Sequence, residues 1–93
     1  MVLVHGITDD GLFWSPLAEV MTVNMDVIMV HVRGHGKSDA PADGYTLQTI
    51  AFDLAVLIQA LGLEKPVLLG HSMGAMTALM LAGLFPDLLD RLV

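Results

Sequence analysis

Gly70-His71-Ser72-Met73-Gly74 sets one hydroxyl between two glycines, each two positions away. The apolar run Pro66–Leu69 precedes it, and Met73–Phe85 follows, stopped by Pro86. The pattern predicts a buried strand, a sharp turn and a helix. Such a turn holds its central residue in a strained backbone conformation, and the flanking glycines leave room for it. Ser72 is then presented above the C-terminal edge of a sheet. The helix behind it begins with N–H groups that have no intrahelical partner and with the positive end of the helix dipole. The chemistry this serves is attack by Ser72 on a carbonyl carbon, with the Met73 N–H stabilising the oxyanion.

A serine of this kind needs a base within reach of its hydroxyl. Four histidines are available, His5, His31, His35 and His71. His71 is adjacent to Ser72, so its ring should point elsewhere around the turn. His5 follows the first strand and suits local hydrogen bonding, and His35 sits in a glycine loop where it caps or packs. His31 is at a strand end. None is read as the base. His31 and His35 lie across a strand end and a loop, not on one helical face, and no carboxylate clusters with them, so no metal set is expected. Gly34 and Gly36 lack the third glycine and the following helix of a nucleotide fingerprint, and no cofactor is expected. Met73, Met76 and Met80 read as a core-packing face. Phe13 and Trp14 either line an acyl pocket or staple a helix start. Asp9 and Asp10 read as solvated loop acids.

The elements that must position Ser72 alternate along the chain. Met1–Val4 is a short apolar strand ending at His5-Gly6. Ile7–Leu12 is a loop, and Ser15-Pro16 opens a helix as N-cap and first residue, with Leu17, Val20 and Met21 on one face. Asp26–Val32 is a second apolar run without polar alternation, as in sheets covered on both faces. It leads into the loop Arg33-Gly34-His35-Gly36-Lys37-Ser38, which continues through Pro41 to Gly44. Thr46 caps a helix to Leu61 with Leu47, Ile50, Leu54, Leu57, Ile58 and Leu61 as its apolar stripe, and Gly62 ends it. After the third strand and helix, Asp87–Arg91 reads as one more turn, and Leu92-Val93 starts a further apolar run. The order βαβαβα predicts an α/β fold with a parallel three-stranded sheet. Two sheet edges would lie open. The chain reads as one unit, residues 1–93, that is part of a larger domain.

Composition narrows the function. Ninety-three residues suit one small domain with a thin core. Hydrophobic residues are 55% and the mean hydropathy is +0.70, which excludes a disordered chain. The net charge of −6 and the lack of a basic cluster exclude nucleic acid as a partner. No Cys is present, which excludes disulfides and fits a reducing, cytoplasmic setting. Met-Val-Leu-Val-His-Gly has no basic region ahead of an apolar core, so no signal peptide is expected. Pro66–Pro86 is 21 residues without Asp, Glu, Lys or Arg, but Gly70 to Gly74 breaks it, so no membrane span is expected.

Three motifs, His5-Gly6, Arg33-Gly34-His35-Gly36-x-Ser38 and Gly70-His71-Ser72-Met73-Gly74, each follow a strand. In order and approximate spacing they resemble the α/β-hydrolase superfamily. The resemblance implies that the strands are the third, fourth and fifth of an eight-stranded sheet. It implies Ser72 as nucleophile, with Met73 and Ile7 giving the two oxyanion-hole N–H groups. His5, Gly6, Gly70, His71 and Gly74 support the motif. It disfavours the aspartate-nucleophile branches, such as haloalkane dehalogenases and most epoxide hydrolases, because position 72 is Ser. The family loop usually reads Asp-x-Arg-Gly-x-Gly-x-Ser, and His31 here takes the place of that Asp, which bears on loop order, not chemistry. The family's acid and His follow the nucleophile. The 21 residues after Ser72 include Asp87 and Asp90 but no His. The expected activity is hydrolysis of an ester, lactone, thioester or amide through an acyl-enzyme, with a small apolar acyl substrate. The alternative is a non-catalytic module that self-associates or binds a partner through its open sheet edges.

Overall fold

The structure, a computed structural model, describes all of residues 1–93. β1 (Val2–Val4) is followed by a 3₁₀ turn (Gly11–Trp14), α1 (Ser15–Met21), β2 (Ile28–Val30), α2 (Leu47–Ala60), β3 (Val67–Gly70), α3 (Met73–Leu84) and β4 (Arg91–Leu92). The strands form one parallel sheet in the order β2-β1-β3-β4.

The sheet has four strands where the sequence suggested three. Val67 pairs with Arg91 and Leu68 with Leu92, so the turn expected over Asp87–Arg91 ends before Arg91. A two-residue strand carries no periodicity of its own; it exists because β3 offers a free edge. The start of the first helix also differs. Asp10, not Ser15, is the cap: its carboxylate accepts the Leu12 N–H at 2.8 Å. Ser15 lies inside the helical run and its hydroxyl donates to the Leu12 carbonyl. Asp10 thus caps the 3₁₀ turn that leads directly into α1, which has no side-chain cap of its own, and this acid is a structural cap as well as a loop acid.

The core lies between the sheet and α2 and α3. Val2, Val4 and Leu68 from the strands meet Ile50, Ala51, Leu54, Ala55, Ile58, Ala78 and Leu81 from the helices. A fully buried Leu or Ile contributes about 1.5–3 kcal/mol by leaving water. α2 begins at Thr46, whose hydroxyl accepts the Thr49 N–H at 3.1 Å. It ends at Gly62, where Leu63 N–H donates to the Ile58 carbonyl and Gly62 N–H to that of Gln59, as expected for a glycine after a helix. The stripe is centred on Ala51 and Ala55 as well as its large residues, and Leu61 is half-exposed. The alanines let α3 approach closely. On α3 the buried residues are Gly74, Thr77, Ala78 and Leu81. Met76 and Met80 face outward, which corrects their reading as core.

Leu3 points to the opposite face by strand alternation and is fully buried. The 3₁₀ turn packs on β1 and β2 on that side, with Trp14 and Ala18 buried. Val20, expected on the packed face of α1, is 68% exposed. α1 is seven residues long and rests on Ala18, so only one residue per turn reaches the core. No helix is long and apolar enough to cross a membrane.

Candidate active site

β1 and β3 end together, Val4 in register with Gly70. One residue further, His71 N–H donates to the Val4 carbonyl at 3.0 Å. His5-Gly6-Ile7 and His71-Ser72-Met73 therefore leave the sheet side by side at its C-terminal edge. The chain goes from β1 to β2 on one side and from β3 to β4 on the other. The crevice where connections diverge is where open α/β sheets take their ligands.

Ser72 has φ 55° and ψ −118°. That backbone conformation costs of order 1–3 kcal/mol for a residue with a Cβ, and surrounding contacts must impose it. The two glycines of the motif show how. A Cβ on Gly74 would lie 2.2 Å from the Val4 carbonyl oxygen, and one on Gly70 would lie 2.5 Å from the Gly74 oxygen. The first turn of α3 thus sits directly on the ends of β1 and β3, closer than any side chain permits. The Ser72 carbonyl accepts Ala75 and Met76 N–H at 2.9 and 3.1 Å. Its side chain makes no capping bond, and the residue is exposed. The hydroxyl has no hydrogen-bond partner within the chain.

Gly6 lies beside it. A Cβ there would be 3.4 Å from Ser72 Cβ and 3.2 Å from His71 Nδ1. The next residue, Ile7, is 66% exposed. Neither the Ile7 N–H nor the Met73 N–H donates to another group of the chain. Two unpaired backbone donors flanking a serine hydroxyl can receive the charge of a tetrahedral intermediate.

Each histidine has its own place. His5 is fully buried. Its Nε2 accepts the Val32 N–H at 3.1 Å, so the proton sits on Nδ1, which donates to the Gly6 carbonyl at 2.7 Å. Burial pushes its pKa below the usual 6.5, and a proton on Nε2 would face the Val32 N–H. His35 lies 5.0 Å from His5 ring to ring, with Nδ1 on the Arg33 carbonyl at 3.0 Å and Nε2 on that of Ile7 at 2.8 Å. His31 Nδ1 accepts the Gly11 N–H at 3.2 Å, and its carbonyl accepts the Ser38 hydroxyl. His71 stacks on Phe13 at 5.1 Å. None of the four hydrogen-bonds to Ser72.

The loop after β2 is ordered with His31 in place. Arg33 grips Asp53 of α2 through Nε and Nη2, the latter at 2.8 Å, and Nη1 donates to the Gly44 carbonyl at 3.0 Å. The hydrogen bond with Asp53 raises the Arg33 pKa further, so the clamp keeps its charge across the working pH range. Trp14 is buried, and Phe13 is 43% exposed and lies against His71. The two are divided between the helix-start and site-lining roles.

The family model for the alpha/beta hydrolase fold matches residues 1–93. The chain belongs to this family. It is 38% identical over 93 residues to a 2-(acetamidomethylene)succinate hydrolase of Mesorhizobium japonicum, covering all of this chain and 34% of that protein. It is 32% identical over 95 residues to epoxide hydrolase 4 of Mus musculus, covering all of this chain and 26% of that protein. The crystal structure of an E-2-(acetamidomethylene)succinate hydrolase superposes with a TM-score of 0.96 at 37% identity, over 99% of this chain and 34% of that one. The chain thus spans about a third of the length of the relatives it matches.

Family membership accounts for the parallel sheet and for the three motifs on its C-terminal edge. It does not by itself explain what holds the His5–Ile7 turn. The contacts of His5 with Val32 and of His35 with Ile7 cross 27 and 28 residues. Sequence reasoning gave these two rings only local roles. The available signal was that both sit directly beside glycines at strand ends.

Proposed function

We propose that residues 1–93 carry the nucleophile and the oxyanion hole of a serine hydrolase. Ser72 Oγ attacks the carbonyl carbon of an ester, lactone, thioester or amide. Its proton passes to a histidine outside these 93 residues, since no His follows Ser72 here. The carbonyl oxygen takes the negative charge and is held by the Ile7 and Met73 N–H groups. Collapse expels the leaving group, which takes the proton, and leaves an acyl-Ser72 that water then hydrolyses. The observation that carries the reading is Ser72 itself: a strained, exposed residue whose hydroxyl neither caps its helix nor bonds elsewhere, beside two unpaired N–H groups. The names of relatives, among them a 2-(acetamidomethylene)succinate hydrolase and an epoxide hydrolase, support hydrolysis as the reaction class. Exposed Ile7, Leu12 and Phe13 at the mouth favour a small apolar acyl group.

The test is turnover of a short-chain p-nitrophenyl ester by the product of the full reading frame, together with labelling by a fluorophosphonate. Wild type should hydrolyse the ester and gain the label's mass on the peptide containing Ser72. Ser72→Ala should lose at least a thousandfold in kcat and take no label. A Ser72→Ala enzyme as active as wild type would refute the reading.

A second reading is favoured by one observation. Met76, Leu79 and Leu84 of α3 are 54%, 59% and 40% exposed, and β2 and β4 are open edges. A module that pairs through these surfaces would sediment as a dimer or larger. A monomeric mass for the 93-residue chain with cooperative unfolding sinks it.

A further inference from the structure

Ile7 is not held by packing. Its side chain is two-thirds exposed, and with Thr8 it forms a two-residue turn between Gly6 and Asp9. Two imidazoles, 5.0 Å apart ring to ring, hold its backbone instead. The Gly6 carbonyl, which shares a peptide plane with the Ile7 N–H, accepts from His5 Nδ1 at 2.7 Å and from Asp9 N–H at 3.2 Å. Because a trans peptide points its C=O and N–H in opposite directions, anchoring that carbonyl turns the Ile7 N–H away from His5. The following peptide is anchored from elsewhere: His35 Nε2 is 2.8 Å from the Ile7 carbonyl. A carbonyl oxygen only accepts, so this bond needs the proton on His35 Nε2; in a neutral ring Nδ1 then carries no proton, and its 3.0 Å approach to the Arg33 carbonyl is not a second donated bond. With both flanking peptides pinned, neither φ nor ψ of Ile7 is free to drift.

We propose that His35 is a positioning residue for the oxyanion hole: its Nε2–H, reaching across from the loop after β2, holds the Ile7 carbonyl and thereby keeps the Ile7 N–H in place for the transition state. This rests on the reading of Ser72 and Ile7 given above. His35 touches no reacting atom. Without it the Gly6–Ile7 peptide is held at its carbonyl end alone, and once the Ile7–Thr8 peptide is released it can pivot about that end and carry the Ile7 N–H with it. A donor displaced by a fraction of an ångström binds the ground-state carbonyl about as well and the oxyanion less well. The loss therefore falls on kcat.

The experiment measures kcat and KM for a p-nitrophenyl ester with the product of the full reading frame and four variants. The variants are His35→Ala, His35→Gln, His35→Asn and Ser72→Ala. Gln places its amide N–H near the site of Nε2; Asn places one near Nδ1 and keeps only the Arg33 contact. We expect His35→Ala and His35→Asn to lose roughly ten- to a hundredfold in kcat with KM within about twofold. His35→Gln should recover most of the loss. His35→Asn serves where the alanine variant does not fold, because its amide N–H can donate to the Arg33 carbonyl and tie the side chain to its own loop. Wild-type kcat in both His35→Asn and His35→Ala, with Ser72→Ala inactive, overturns the role of His35 and leaves the serine mechanism standing. Equal losses in Gln and Asn also overturn it, since the ring would then matter for its bulk and not for its Nε2–H. An active Ser72→Ala removes the reading on which the inference rests.

Discussion

The two turns that meet at the C-terminal edge of the sheet are held by different forces. The Gly70–Gly74 turn is set by steric approach: α3 rests on the ends of β1 and β3 where no Cβ fits. The His5–Ile7 turn is set by hydrogen bonds, and two of them, from the Val32 backbone to His5 and from the His35 ring to Ile7, cross 27 and 28 residues. The first is local, and its residues announce it. The second is a property of the assembled loops. A steric turn responds to volume and ignores pH; a hydrogen-bonded turn built on imidazoles responds to protonation.

The sharpest way to break the steric turn is Gly74→Ala. The new Cβ would meet the Val4 carbonyl at 2.2 Å, backbone against backbone. α3 must then move off the sheet. We expect a loss of about 3 kcal/mol or more, or failure to fold, read by urea denaturation. Gly83→Ala in the same helix is the control. Nothing lies within 4 Å of its Cβ, and replacing this glycine of the last turn should stabilise by at most about 0.5–1 kcal/mol. If both glycines behave alike, close approach is not what selects Gly74.

Next in size is His5→Ala, which probes the other turn. It leaves the buried Val32 N–H without its acceptor and opens a cavity, and should cost about 2–4 kcal/mol in the same denaturation experiment. The wild-type ring should also make stability depend on pH. Burial lowers the folded pKa of His5 below 6.5. The unfolded chain therefore binds this proton more readily, and folding stability rises with pH. The contribution is complete above about pH 6.5 and falls away below it, by at most about 1.4 kcal/mol per pH unit for one proton. Stability measured from pH 8 to pH 5 should show this slope in wild type and lose it in His5→Ala. A flat wild-type profile would mean that the buried ring accepts its proton without cost.

The smallest effect concerns strain. Ser72 sits at φ 55°, which glycine adopts freely. Ser72→Gly should raise the melting midpoint, by an amount corresponding to about 1 kcal/mol, while removing activity. A lowered midpoint would show that Ser72 makes a stabilising contact that the steric picture lacks.

Much of this was legible in the residues. The apolar runs at Met1–Val4, Asp26–Val32 and Pro66–Leu69 each contain a strand. Thr46 and Gly62 bound α2 as capping chemistry requires. The serine between two glycines lies at the strand-to-helix junction, as its spacing indicates. β4 is made by a neighbour's free edge, and the exposure of Met76 and Met80 by how α3 packs, both decided outside the local window. Asp10 acts within it, capping the 3₁₀ turn two residues on at Leu12.

What the sequence by itself determined is the alternation of strands and helices and the position of the Ser72 turn, because these follow from periodicity and from glycines spaced for a tight local turn. What only the tertiary structure decided is which rings hold the Ile7 backbone, that Arg33 locks its loop to α2 through Asp53, and which side of α3 packs inward. Hydrogen-bond geometry between loops depends on strand order and register. In a sheet ordered β2-β1-β3-β4, the loops after β1, β2 and β3 become neighbours only once the crossovers have closed.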